Sequence, residues 1–120
     1  MSTPNELTIA HSIRQTWRVP GVCATFEMAT VTRQWLQYGD GRINARYPRH
    51  VHPGALVAIM GGELHAWRAG LYITVGALPS DINVVACWIN SYFQWVLGCP
   101  PEATLSVVVA NFATVAAAAS

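Results

Sequence analysis

Arginine, asparagine and aromatic residues in strand-like segments are the side chains of this sequence best suited to binding chemistry. All seven basic residues are arginines, and the chain contains no lysine. In the segment RINARYP, the alternation of a β-strand places Arg42, Asn44 and Arg46 on one face. Guanidinium groups bind phosphates through paired hydrogen bonds, and aromatic rings stack on bases. This pattern favours a sheet face that binds RNA, and an ordinary solvated face is the alternative.

Two other strand-like segments supply side chains to the same kind of face. Residues 22–37 place one alternating set on a single side, namely Glu27, Ala29, Val31, Arg33 and Trp35. The segment ELHAWRAGLYITV is predicted to be one strand that presents Arg68, Gly70, Tyr72 and Thr74 together. Asn44 and Tyr72 each have an interpretation that involves no RNA. Asn44 could be a tolerated exposed residue, and Tyr72 could pack across the sheet.

The histidines offer a weaker possibility, a metal site. His50 and His52 form an HxH pair, and His65 is the nearest candidate for a third ligand. A small metalloenzyme using these three residues is one hypothesis, but loop histidines without a metal are far commoner. The sequence contains no GxSxG, P-loop or GxGxxG motif and no paired carboxylates suited to acid–base catalysis. We therefore predict no enzymatic activity, no cofactor, no metal and no small-molecule substrate.

The elements that position these residues are predicted to be strands first and helices last. Residues 6–20 are expected to form one or two short strands, and Tyr38–Gly41 (YGDG) is typical of a hairpin turn. Residues 48–62 form a long connection rich in glycine and proline, of a kind that is usually functional or interfacial. The sheet is thus expected to span about 6–76.

A helix is predicted to begin at Ser80 or Asp81, either of which can cap its first turn, and to end at Gly98. Residues 102–112 could be a second short helix or a strand, and 113–120 are a tail of small residues. The helices are therefore expected within about 80–112. The predicted fold class is α+β in one domain, 1–120, with an antiparallel sheet that starts with an N-terminal hairpin and precedes two C-terminal helices.

The first of these helices is apolar on nearly every side, so it must be covered from two directions. Charged residues make up 11% of the chain, against ~25% in typical soluble domains. Low charge and a two-sided apolar helix favour an obligate oligomer. The side chains expected at a dimer interface are Ile82, Val85, Trp88, Ile89, Tyr92 and Phe93.

The remaining sequence features point to a cytosolic protein. The N-terminus has no basic start followed by an apolar core, as a signal peptide would have, and Thr104–Ala119 is too short for a confident membrane span. Cys23, Cys87 and Cys99 form an odd set without CxxC spacing. Buried reduced thiols are expected, and an intermolecular disulfide through Cys99 is the alternative.

Taken in order, several segments resemble the coat proteins of single-stranded RNA bacteriophages, the leviviruses. TVTRQ (30–34) resembles a strand that carries an RNA-binding arginine, and a tight turn and INARYP follow it. The long loop then ends in GGEL, AWR opens a strand, and a helix and a proline-introduced segment complete the order. The resemblance covers roughly residues 28–112, and it depends on the ordered set rather than on any single motif.

The resemblance implies an interlocked homodimer that assembles into an icosahedral shell within the virion. Its interior sheet face would bind single-stranded RNA, including a hairpin that represses replicase translation. Carried across by position, the residues at or beside RNA-contacting positions are Ala29, Val31, Arg33, Arg42, Asn44 and Tyr72. Trp35, Arg46 and Arg68 are added because they share the predicted face. The competing hypothesis is a dimeric α+β module that binds a small ligand or a protein without forming a shell.

Overall fold

The computed structural model describes residues 4–28, 34–100 and 103–111. Over these residues the fold is α+β, with three helices and one six-stranded antiparallel sheet of order β4-β5-β3-β2-β1-β6. The helices are α1 (Pro4–Arg18), α2 (Gly54–Met60) and α3 (Ile82–Trp95). The strands are β1 (Val22–Met28), β2 (Gln34–Gly39), β3 (Arg42–Arg46), β4 (Glu63–Arg68), β5 (Tyr72–Gly76) and β6 (Leu105–Asn111).

The hairpin predicted at YGDG is confirmed between β2 and β3. Gly39 pairs with Arg42, which leaves Asp40 and Gly41 as a two-residue turn. Both turn residues have positive φ, 54° and 71° respectively. Turns of this kind match the right-handed twist of the strands they join, and Asp-Gly is a favoured sequence for them.

Two segments that were predicted to be single strands are hairpins instead. The run 22–37 folds back on itself, so that Phe26 pairs with Leu36 and Met28 pairs with Gln34. The run 63–75 reverses at Gly70, which has a φ of 72°. Leu71 N–H donates to the Arg68 carbonyl across this turn, and Arg68 pairs with Tyr72. Glycine adopts positive φ without the steric penalty of a side chain, which is why the chain can turn there.

The predicted N-terminal strands are wrong, because residues 4–18 form α1. Its buried side chains are Ile9, Ser12, Ile13 and Thr16, a spacing of three or four residues that matches one face of a helix. Glu6 in the first turn and Arg18 in the last turn both complement the helix dipole. These features outweigh the strand propensity of the threonine and isoleucine residues.

The predicted central helix is confirmed as α3. The Asp81 carboxylate accepts hydrogen bonds from the backbone N–H groups of Asn83 and Val84, at 2.9 and 3.2 Å, which caps the helix. The second C-terminal helix of the predicted fold class is wrong, since residues 105–111 form β6, which is the strand alternative for this segment. Three consecutive β-branched valines favour an extended strand there, and β6 pairs with β1 along seven residues.

The three described helices lie on one face of the sheet. α1 contacts β1, β2 and β6, while α3 packs along α1 and reaches β3, where the Tyr92 hydroxyl donates to the Arg46 carbonyl at 2.6 Å. Within the predicted long connection 48–62 the chain forms α2, which adds a further apolar side chain, Val57, to the core. The strands contribute alternate residues to this core, and the largest among them are Phe26, Leu36, Tyr38, Ile43 and Ile73.

Candidate nucleic-acid interface

The face of the sheet that points away from α1 and α3 is the candidate site, and we call it the open face. Strand register places side chains of all six strands on it, because cross-strand partners share a face. One row runs across the whole sheet through directly paired residues, in the order Ala66, Thr74, Asn44, Gln37, Thr25 and Val108. The row takes one residue from each strand, in the order in which the strands lie in the sheet. The open face is therefore continuous from β4 to β6.

A second row on the open face is basic and aromatic. Arg68 pairs with Tyr72, and Tyr72 pairs with Arg46. Neighbouring strands lie about 4.8 Å apart, so the two guanidinium-bearing positions are separated by roughly 10 Å with the tyrosine between them. Tyr72 is 39% exposed, which leaves part of its ring accessible to solvent. An aromatic ring flanked by two arginines can stack on a base while the arginines contact phosphates.

Six of the nine residues predicted to bind RNA are described by the structure, and all six lie on this face. Arg42 is two residues from Asn44 on β3, and both are exposed. Trp35 on β2 is half-buried and pairs with Glu27 on β1. Ala29, Val31 and Arg33 lie outside the described residues. Arg42, Arg46 and Arg68 are on β3 and β4, and the acidic residues Glu27 and Glu63 are on β1 and β4. The part of the face formed by β3, β5 and β4 therefore carries a net positive charge.

Asn44 is held in one orientation by its neighbour on β5. Thr74 Oγ1 donates to Asn44 Oδ1 at 2.7 Å. The side-chain oxygen is therefore engaged within the sheet, and the Nδ2 group is left to donate to an acceptor above it. Acceptors of this kind include phosphate oxygens and the carbonyl and ring-nitrogen groups of bases.

His65 is a member of the open face that sequence reasoning assigned elsewhere. A Cβ at Gly76 would meet His65 Nε2 at 2.5 Å, so the imidazole occupies the space that a side chain on β5 would fill. Leu64 and Ala66 flank it at a register irregularity between β4 and β5. Gly76, opposite the strand that carries His65, could have indicated this placement from the sequence. The indication is usable only when residues 63–76 are known to form a hairpin.

The three histidines proposed as metal ligands are engaged separately. His52 Nδ1 accepts from the Gly54 N–H at 2.9 Å, and its ring lies edge-on to Trp67. The ring of His50 lies beside Gly70, at 3.1 Å from where a Cβ would be. Among residues 4–28, 34–100 and 103–111, no three His, Cys, Asp or Glu side chains are grouped closely enough to hold a metal ion.

The remaining arginine of the loop, Arg49, has a structural contact. Its Nη2 donates to the Trp95 carbonyl at 2.6 Å, at the C-terminal end of α3. A cation there satisfies a terminal carbonyl and complements the negative end of the helix dipole. Arg49 therefore connects the loop after β3 to α3, on the side of the sheet opposite to the open face.

The residues expected at a dimer interface are mostly covered within the single chain. Val85, Trp88, Ile89, Tyr92 and Phe93 are buried, and Ile82 is half-buried. α1 of the same chain packs along α3 and covers part of its apolar surface. Burial of these side chains consequently no longer argues for a second chain.

The exposed apolar part of α3 lies instead along a groove of about 470 Å³ shared with α2. Val84 and Trp95 from α3 and Ile59 from α2 line it and are exposed. Cys87 is exposed in the same groove, whereas Cys23 and Cys99 are buried. Burial raises the pKa of the Cys23 and Cys99 thiols, so both are poor nucleophiles at neutral pH.

Comparisons with known proteins give no relatives. No family model, no curated protein and no solved structure matches the chain. Among the described residues, no helix combines the length and apolar character needed to span a membrane.

Proposed function

We propose that the open face binds single-stranded RNA and that the protein is a viral coat protein that packages this RNA. The observation that carries the proposal is the cross-strand row Arg68, Tyr72 and Arg46 on a sheet face that the described helices leave uncovered. Single-stranded RNA is recognised largely through stacking of splayed bases and neutralisation of phosphates. This row offers both kinds of contact within a span of three strands.

The neighbouring row adds hydrogen-bonding groups to the stacking and charge. Asn44 presents its Nδ2 group beside the row, and Gln37 and Thr74 lie at paired positions on either side of it. Such a mixture of amide, hydroxyl and guanidinium groups suits the acceptors of phosphates and base edges. Because the arginines would neutralise RNA phosphates and release their counterions, RNA affinity is expected to fall with rising salt.

Shell assembly and the interlocked dimer are part of the proposal on the strength of the ordered resemblance to levivirus coat proteins. In an interlocked dimer, α3 of one protomer would lie across the sheet of its partner. The side chains of Val85, Ile89 and Phe93 would then make between chains the contacts that they make here within one chain. The same interior face would bind the RNA hairpin through which such proteins repress replicase translation.

Expression of the chain alone in a bacterial host tests the proposal. We expect electron micrographs of the purified protein to show closed particles and the particles to contain nuclease-protected RNA. A discrete small dimer that lacks nucleic-acid absorbance at several salt concentrations would contradict it. That result would favour the alternative, an α+β binding module for a small ligand or a protein without shell assembly.

A further inference from the structure

The outer face of α1, which points away from the sheet, is basic. Arg14 and Arg18 are both exposed, and they are four residues apart, which places them one turn from each other on the same side of the helix. Glu6 is the only acidic residue of α1, and its Oε1 accepts a hydrogen bond from Asn90 Nδ2 on α3 at 3.2 Å. This acid is therefore directed toward α3, and the two arginines set the charge of the outer face.

Exposed apolar side chains accompany these arginines. Leu7 is 61% exposed, and it lies on the same line of the helix as Arg14 and Arg18, because residues seven and four apart share a face. Trp17 and Val19, which flank Arg18 in the sequence, are 43% and 53% exposed. The arginine pair thus lies between Leu7 at one end and Trp17 with Val19 at the other, and Leu7 is about 16 Å along the helix axis from Arg18.

Trp17 can enter an apolar environment without leaving a polar atom unpaired. Its Nε1 donates to the Tyr38 hydroxyl at 2.9 Å, so the one donor of the side chain is already bonded within the protein. A donor that lost its partner on burial would cost free energy. The exposed part of the indole ring is therefore suited to contact with hydrocarbon.

We propose that the outer face of α1 binds the surface of a lipid bilayer that contains anionic phospholipids. Arginine guanidinium groups pair with lipid phosphates while their aliphatic stems lie against apolar surroundings. The leucine, valine and tryptophan side chains of such a basic helix enter the boundary between head groups and acyl chains. The open face takes no part in this contact, so the proposal stands or falls independently of RNA binding.

The shape of this surface favours a bilayer over a protein segment. A peptide is usually held in a groove or at the edge of a sheet. α1 instead presents the convex side of a helix, and the apolar groove described above lies between α2 and α3. A convex helix can lie parallel to a plane along its length, so that Leu7, Arg14 and Arg18 reach the bilayer together.

A nucleic acid is the other anionic partner that two arginines could attract. Single-stranded RNA is bound through stacking on aromatic faces as well as through its phosphates. The aliphatic side chains of Leu7 and Val19 offer no stacking surface, whereas their burial at a bilayer surface is favourable. The combination of arginines with exposed aliphatic residues therefore fits anionic lipid better than RNA.

Vesicle flotation tests the proposal in any assembly state, because vesicles rise in a density gradient and unbound protein does not. Vesicles of phosphatidylglycerol and phosphatidylcholine in equal parts are compared with vesicles of phosphatidylcholine alone. We expect the parent chain to float with the anionic vesicles only, and rising salt to release it. Arg14→Ala/Arg18→Ala should weaken vesicle binding about tenfold or more, since each arginine near an anionic surface adds to the affinity.

The matched control for charge is Arg42→Ala/Arg68→Ala, which removes two exposed arginines from the open face and should float as the parent chain does. Failure of the parent chain to float with anionic vesicles at low salt would overturn the proposal. Equal flotation of the parent chain and the folded Arg14→Ala/Arg18→Ala variant would overturn it as well. A larger loss in the control would assign vesicle binding to the open face and contradict binding by α1.

The apolar part of the contact has its own test. Leu7→Ser/Val19→Ser should weaken flotation, because less apolar surface enters the bilayer. Ile59→Ser/Val84→Ser removes two exposed apolar side chains from the groove between α2 and α3 and should leave flotation unchanged. Circular dichroism establishes that both variants are folded. A larger loss in the groove variant would assign vesicle binding to the groove and contradict the proposal.

Competition distinguishes a bilayer from its head groups and from RNA. Glycerol phosphate carries the phosphate without acyl chains, so at matched ionic strength it should not displace the protein from anionic vesicles. Full displacement would show that phosphate alone is bound and would overturn binding to a bilayer surface. A clear loss of RNA affinity in Arg14→Ala/Arg18→Ala would identify the outer face of α1 as a nucleic-acid surface and would contradict the proposal in the same way.

Discussion

Thr74 Oγ1 donates a hydrogen bond of 2.7 Å to Asn44 Oδ1 across strands β5 and β3 of the open face. The bond fixes which end of the Asn44 amide is engaged inside the protein and which end is available to a ligand. Thr74 thereby acts as a positioning residue for Asn44 in the proposed RNA contact, although Thr74 itself is only partly exposed.

Replacement of Thr74 by valine should weaken RNA binding without unfolding the protein. Thr74→Val keeps the shape and the strand propensity but removes the donor, so the Asn44 amide can rotate. A hydrogen bond of this type contributes about 1 kcal/mol net, so we expect a loss of roughly 3–10-fold in affinity for a labelled single-stranded RNA, measured by fluorescence anisotropy. Thr104→Val, at an exposed position before β6, is the matched control and should bind normally. Unchanged affinity in both Thr74→Val and Asn44→Ala would exclude this pair from the interface.

Trp88 is expected to stabilise the single chain rather than only a dimer. It is buried, its Nε1 donates to the Gly61 carbonyl at 3.0 Å, and its ring stacks on Tyr92 with centroids 5.4 Å apart. Trp88→Ala should lower the free energy of unfolding by about 3–5 kcal/mol in denaturant titrations. Trp88→Phe, which retains much of the ring but loses the donor, should cost clearly less. A loss below ~1 kcal/mol for Trp88→Ala, which is the usual range for exposed sites, would place this side chain outside the core.

Much of the site could be predicted from alternation alone, even where the chain reversals were missed. The run 22–37 was predicted to be one strand, yet Glu27 and Trp35 do share the open face as expected, because they pair directly across the hairpin. Arg68 and Tyr72 likewise share it on either side of the turn at Gly70. Paired positions in these hairpins differ by an even number of residues, and a period of two therefore assigns them to the same face.

The helices and sheet edges were harder to predict because their signals compete. Asp81 caps α3 through local backbone contacts, so its start could be predicted from a short segment. In α1, β-branched residues favour a strand while the spacing of Ile9, Ile13 and Thr16 favours a helix, and only packing against α3 decides between them. The choice between helix and strand for 105–111 depends on β1 as a partner, which is about 80 residues away in sequence.

Buried tyrosines should make the fold sensitive to alkaline pH. Burial raises the pKa of Tyr92 well above its ordinary value of 10, and it raises the pKa of Tyr38 and Tyr47 as well. The folded chain then keeps these protons at pH values where the unfolded chain has released them. Stability is therefore unaffected by these groups below about pH 10 and falls as the pH rises from there toward the folded-state pKa, by up to ~1.4 kcal/mol per pH unit for each group.

Denaturant titrations of the parent chain and of Tyr92→Phe at pH 8 and pH 11 measure this effect. The substitution removes the hydrogen bond to the Arg46 carbonyl and should lower stability at pH 8. It should also reduce the loss of stability between pH 8 and pH 11, because one titrating group is gone. An equal loss in the two proteins would show that Tyr92 does not contribute to the alkaline transition.

The salt dependence of RNA binding by two matched double variants tests the central claim most directly. Arg42→Ala/Arg68→Ala removes two exposed arginines from the open face, and Arg14→Ala/Arg18→Ala removes two exposed arginines from α1 on the opposite side. Each lost phosphate contact on a single strand reduces the slope of log K against log salt by about 0.7, so the open-face variant should lose about 1.4 in slope and the α1 variant almost nothing. Equal slopes and affinities for the two variants, or a larger loss in the α1 variant, would contradict RNA binding by the open face.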